Sequence, residues 1–387
     1  MKSFTFLVHN IYHMGGTTKS ISNLANILKE KGHTVKIISV FKASEQPYFN
    51  LHEDIEIEPI IEYGKSIKGL QHILFNRINK FTPLLKPKYI HPSEPGLNQF
   101  SSYIEKKIIQ KIKEVDTDII VGTRASYNLL VAHYAKKDIF KIGMEHMYLK
   151  AHDERYQQDI LSAYSKLDLV TTLTKEDQQD YQAQLSQTKV IIVPNIIKET
   201  IYNLEKKNTI VAAGRFEKEK GFDLLIESIQ IIADKMREKH YVLDIYGDGQ
   251  EKETLNSLIN HYQLNDIIQL KPTTNHLSKV LSSSKITAVP SRIEGFGLVI
   301  LEAMYQNSIV VSYKGCYGPE YLIDEKVNGF LAEPQNSEEF AHDLGYIIDH
   351  YESNEIQAMI KNAQQKTTQF EDTAIYDQFI KDIQISK

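Results

Sequence analysis

Hydrophobic positions along the chain follow two alternating periods. Short apolar runs of strand length, "FTFLVHNI" (4–11) and "TVKIISV" (34–40), enclose "TTKSISNLANILKEKG", where Ile21, Leu24, Ile27 and Leu28 share one helical face and Gly32 ends the pattern. Strand, Gly15-Gly16 turn, helix and strand within about 40 residues form a βαβ unit, so the sheet is expected to be parallel.

The same rhythm resumes at 118–123, 141–147, 167–173 and 189–195. It then starts afresh with "NTIVAAGRF", "YVLDIYGDG", "IIQLKP", "KITAVPS" and "SIVVSYKG". Two such runs predict an α/β chain of two Rossmann-like domains, residues 1–196 and 197–369, facing each other across a deep cleft at the carboxyl ends of their strands. A last helix at 370–387, with Ile375, Tyr376, Phe379 and Ile383 on one face, needs cover and is expected on the first domain. An excursion at 64–93 interrupts the rhythm: it carries Lys65, Lys68, Arg77, Lys80, Lys86 and Lys88 with no acidic residue before Glu94.

Composition narrows the function. In 387 residues, 42% hydrophobic content suffices for two cores, and a net charge of −5 gives no overall pull toward nucleic acid or anionic membrane. The single cysteine, Cys316, excludes an internal disulfide, and no Cys/His cluster has zinc spacing. The apolar start is far shorter than the roughly 20 residues of a membrane span, so a cytoplasmic chain, at most peripheral to the inner face of the membrane, is expected.

The densest chemistry is "SRIEGFGLVILEAM" (291–304). It leaves a strand, turns through glycines and enters a helix near Gly297 or Leu298, presenting amide N–H groups and a positive dipole end suited to phosphate. Glu294 before this helix and Glu302 within it would flank a phosphate-bearing ligand with hydroxyls on both sides. Arg215 and Lys220 follow the strand "VAAG", and Gly247 follows "DIY". Each also has a plain reading: solvated charge for the cations, a tight turn for Gly15 and Gly16, a satisfied core residue for His146, a cap for Asn195.

With these motifs in this order, the chain resembles the family-4 retaining glycosyltransferases of GT-B fold. Glu294 and Glu302 correspond to their E-x7-E signature, "GRFEKEKG" to the G-R-x4-K-G segment, and "VNGFLAEP" to the segment that closes the donor domain. The resemblance implies that residues 1–196 bind the acceptor and 197–369 a nucleotide-sugar. Arg215 and Lys220 would clamp the diphosphate, Glu302 the ribose and Glu294 the sugar hydroxyls. Phe296, Gly297, Leu298 and Gly247 would line the donor, while His146 and the Gly15-Gly16 loop approach it from the first domain. It implies retention at the anomeric carbon and no metal or other cofactor.

A Tyr317-Gly318-Pro319-Glu320 stretch is similar to that of bacterial enzymes that decorate teichoic acids and surface polymers. A UDP-sugar donor of glucose or N-acetylglucosamine, and an anionic polymer, glycan or lipid-phosphate acceptor, are the expected partners. Lys271-Pro272 departs from the glycine common near the nucleobase. A UDP-N-acetylglucosamine epimerase and a non-catalytic glycan-binding subunit share the architecture and stay open. Oligomeric state is not legible. "DTD" (116–118) precedes its strand instead of following it, so it falls at the wrong sheet edge for a metal-binding pair, and no G-x-G-x-x-G supports an oxidoreductase.

Overall fold

A computed structural model describes residues 1–62 and 86–385. They form two compact units, Met1–Ile196 with Asp372–Lys387, and Ile197–Glu371.

The first unit is a seven-stranded parallel sheet of β1 (Ser3–Val8), β2 (Thr34–Lys42), β3 (Glu56–Glu62), β4 (Ile119–Gly122), β5 (Phe140–Met144), β6 (Leu169–Thr172) and β7 (Lys189–Ile192), in the order β3-β2-β1-β4-β5-β6-β7. Side chains alternate across a strand: Phe4, Phe6 and Val8 enter one apolar cluster and Leu7 the other. Helices cover both faces, which is why the strands read as continuous apolar runs. Asp118 stands at the amino end of β4, where its Oδ2 accepts from the Ser3 N–H and hydroxyl at 2.8 and 2.9 Å.

The C-terminal helix, Asp372–Ile385, returns to this unit. Ile375, Phe379 and Ile383 are buried in the same cluster as Phe4, and Lys189 Nζ reaches Asp382 Oδ1 at 2.9 Å. The helix begins at Asp372, two residues later than the expected start at 370. Phe370 instead closes a short 3-10 turn and lays its ring against Phe296 and Tyr321 in the second unit, because the backbone turns extended at Glu371.

The second unit repeats the plan with β8 (Lys207–Ala213), β9 (Val242–Tyr246), β10 (Ile268–Lys271), β11 (Ser284–Val289), β12 (Ile309–Tyr313) and β13 (Phe330–Ala332), all parallel, in the order β10-β9-β8-β11-β12-β13. β3 and β13, absent from the periodicity reading, are both edge strands. β3 carries Pro59 and alternating glutamates, and β13 has only three residues, so neither shows a buried-strand signature.

Among the described residues no helix is long and apolar enough to cross a membrane. Lys65, Lys68, Arg77 and Lys80 of the basic excursion lie outside the described residues; Lys86 and Lys88 are exposed.

Candidate active site

In the second unit the strand order reverses between β8 and β11, which pair directly. Chains leaving the carboxyl ends of two such strands diverge to opposite faces and open a crevice where ligands bind. The loop after β8 carries Arg215 and Lys220, and the loop after β11 carries Glu294, so the topology alone brings these three to one edge.

The two loops touch. Lys220 Nζ donates to Glu294 Oε2 at 2.8 Å, and Ser291 Oγ donates to the same oxygen at 3.2 Å. Burial works against the Lys220 charge, but the Glu294 carboxylate outweighs it and holds the ammonium pKa above the ordinary lysine value. Arg215 points elsewhere: its guanidinium pairs with Glu217 and Glu219 of its own loop and is half exposed. The expected double clamp is therefore, in the free protein, one cation paired across the crevice and one paired along its own loop.

The helix Leu298–Tyr305 starts beside them. Gly297, at φ 85°, precedes it, and no side chain caps it, so its first amides stay open to an anion. A Cβ on Gly297 would meet Ile300 at 2.8 Å. Phe296 is buried with its ring against Tyr321 and Phe370; its side chain is a core anchor that fixes the turn, leaving only its backbone for a ligand. Glu302 is buried on the same helix, and Leu298 is partly exposed.

Gly247 has a packing reason of its own. A Cβ there would lie 2.0 Å from the Gly214 carbonyl oxygen, because the ends of β8 and β9 press together. Gly15 differs: its backbone is extended, it directly precedes the helix Gly16–Glu30 uncapped, and a Cβ would meet only Thr18 Oγ1 at 3.8 Å. Packing does not demand glycine at Gly15.

His146 follows β5 in the first unit, where it lines a small cavity with Ser20, Leu24, Met144, Leu173 and Val193. Burial lowers its pKa to about 4, so the imidazole is neutral, and its Nε2 has no hydrogen-bond partner among the described residues. Asn195 is buried, and its Oδ1 likewise has no partner among the described residues. Glu145, beside His146, is fully buried; its Oε1 accepts from Asn128 Nδ2 at 2.9 Å and from the Tyr164 hydroxyl. Burial pushes its pKa up to about 8.

Sequence reasoning passed over two residues beside this crevice, Asp223 and Arg292. Arg292 donates from both terminal nitrogens to the two Asp223 oxygens at 2.7 and 2.8 Å. The only signal was position: Asp223 stands three residues after Lys220, and Arg292 two before Glu294.

Comparison with known proteins bears on family and fold. Residues 195–366 match Glycosyl transferases group 1. An uncharacterized glycosyltransferase of Haemophilus influenzae is 29% identical over 91% of this chain and 92% of its own. A poly(ribitol-phosphate) alpha-N-acetylglucosaminyltransferase of Staphylococcus aureus is 26% identical over 51% of this chain and 40% of its own. A mutant of S. aureus TarM, crystallised with Fondaparinux, alpha-GlcNAc-glycerol and UDP, matches in fold with a TM-score of 0.76 at 17% identity, over 98% of this chain and 99% of that one.

Proposed function

We propose that this chain, whose residues 195–366 match Glycosyl transferases group 1 and whose fold matches that of TarM, is a glycosyltransferase that moves glucose or N-acetylglucosamine from a UDP-sugar to a hydroxyl of an anionic cell-envelope polymer, glycan or lipid-linked acceptor, retaining the anomeric configuration and needing no metal.

The observation that carries this reading is the Lys220–Glu294 contact at 2.8 Å, at the reversal of strand order and beside an uncapped helix start. When a nucleotide-sugar bond breaks, negative charge grows on the β-phosphate. A fixed ammonium and helix-end amides stabilise that charge without reorganising. In the free protein Glu294 occupies Lys220. A bound diphosphate takes over the ammonium, and the released carboxylate accepts from sugar hydroxyls; Glu302 accepts from the ribose. Arg215, exposed and held by its own loop, exchanges Glu217 and Glu219 for phosphate. The acceptor hydroxyl attacks the anomeric carbon from the leaving-group side, and its proton passes to a phosphate oxygen.

The acceptor assignment is supported by the Staphylococcus aureus relative, which acts on poly(ribitol phosphate), and by the basic run between 64 and 93. Such a run gathers an anionic polymer or an inner membrane surface by charge.

The test is direct: incubate the protein with UDP-glucose or UDP-N-acetylglucosamine, poly(ribitol phosphate) or poly(glycerol phosphate), and EDTA. UDP release with an α-linked product is expected. A β-linked product, a manganese requirement, or epimerised donor without transfer would overturn the corresponding part.

A further inference from the structure

Arg292 lies two residues from Glu294, and Asp223 three from Lys220, and the two side chains pair with each other. Their guanidinium–carboxylate fork is bidentate and mostly buried, each side chain less than one-fifth exposed. The same guanidinium donates to the Lys218 carbonyl at 2.8 Å, and Lys218 Nζ reaches Asp223 Oδ2 at 2.6 Å. Beneath the fork, the backbone N–H groups of Arg292 and Ile293 both donate to the Glu219 carbonyl, at 2.8 and 3.3 Å. Gly221, at φ 68°, presses so closely on Pro290 that a Cβ would lie 1.9 Å from its carbonyl oxygen. The Lys218–Asp223 pair braces the β8 side; every other one of these links joins the loop after β8, or the helix turn that follows it, to the loop after β11.

We propose that Arg292 and Asp223 are the positioning pair of the donor site: their fork fixes the two loops in register, and that register sets the distance between Lys220 and Glu294. The proposal rests on the donor reading given above. A planar guanidinium meeting both carboxylate oxygens fixes orientation as well as distance, which a single ammonium cannot do. The Asp223 carboxyl is pushed up by burial and pulled down further by Arg292 and Lys218, to about 2, so the fork stays charged at working pH.

The experiment compares wild type with Arg292→Lys, Asp223→Asn and the double variant Arg292→Gln/Asp223→Asn. It measures UDP affinity by calorimetry and donor kcat and KM by UDP release, well below each melting temperature. A misplacement on the scale of 1 Å costs about 100-fold, so each single variant should lose on the order of 10- to 100-fold in donor kcat/KM. The double variant should lose no more than the worse single one, because both break one device. Arg292→Lys, which keeps the charge, should fail to rescue. Full rescue by lysine, additive losses, or a lowered melting temperature with unchanged kinetics and UDP affinity would overturn the positioning role. If wild type neither binds UDP nor releases it from any UDP-sugar, the donor reading falls and this proposal with it. If wild type does both and Arg292→Lys equals it, only the proposal falls.

Discussion

Lys220 and Glu294 are 74 positions apart in the chain and 2.8 Å apart in space. The contact exists because β8 and β11 are neighbours at the point where the strand order reverses, so the loops leaving them meet over the same edge. Each group is the other's partner in the free protein, and each is the kind of group a nucleotide-sugar would need.

Lys220→Ala should lower turnover by about 100- to 1,000-fold, the loss seen when one preorganised charge stabiliser is removed. Arg215→Ala, at an exposed and locally paired position, should leave stability within about 0.5 kcal/mol while reducing turnover. Steady-state UDP release with parallel thermal melts checks both. Wild-type rates in Lys220→Ala would remove this residue from the mechanism.

The glycines should separate by mechanism. Gly247→Ala forces a Cβ into the Gly214 carbonyl, and Gly221→Ala adds an unfavourable φ to a clash with Pro290, so both should lower the melting temperature along with activity. Gly15→Ala makes only an ordinary van der Waals contact with Thr18, in an extended backbone, and should melt like wild type. Lost activity in Gly15→Ala without lost stability would mark that loop as a ligand contact.

Removing the tail at Glu371 strips the cover from Phe4 and its neighbours and deletes the buried Ile375, Phe379 and Ile383. Burying each such side chain contributes about 1.5–3 kcal/mol. Phe379→Ala alone should cost about 3 kcal/mol or more in denaturant unfolding. A truncated chain of unchanged stability would mean that the helix adds nothing to the first unit.

Stability should fall as pH rises through neutrality. Glu145 ionises near 4.5 when unfolded, but its folded pKa is about 8, so the native state keeps a proton that the unfolded state has lost. Its contribution is fully present below pH 4.5 and is lost as pH rises toward 8. Asp177, raised to about 7 by burial against an opposing hydrogen bond from the Leu149 N–H, acts with the same sign. The unfolding free energy should drop from pH 5 to about 7 through both groups, and on to about 8 through Glu145 alone, by up to about 1.4 kcal/mol per pH unit for each titrating group. Glu145→Gln keeps a neutral side chain at every pH and should flatten the slope. An unchanged slope would show that Glu145 is ionised in the folded protein.

The sequence by itself determined what depends on near neighbours. Apolar runs marked the buried strands, the stripe from Ile375 to Ile383 marked a helix that needed cover, and the glycines between Glu294 and Glu302 marked a strand-to-helix turn with open amides. These signals have periods of two to four residues, so they survive in one dimension. Edge strands β3 and β13 carry no such period, since one side lacks a neighbour and their side chains are less uniformly apolar or too few. Only the tertiary structure decided which charges meet. Arg215 and Lys220 look equivalent in the chain, yet one pairs within its loop and the other across the crevice. Arg292 and Asp223, 69 positions apart, gave no pairing signal. The proton on Glu145 was equally invisible, because desolvation is set by everything packed around a carboxyl group, and packing is a property of the fold.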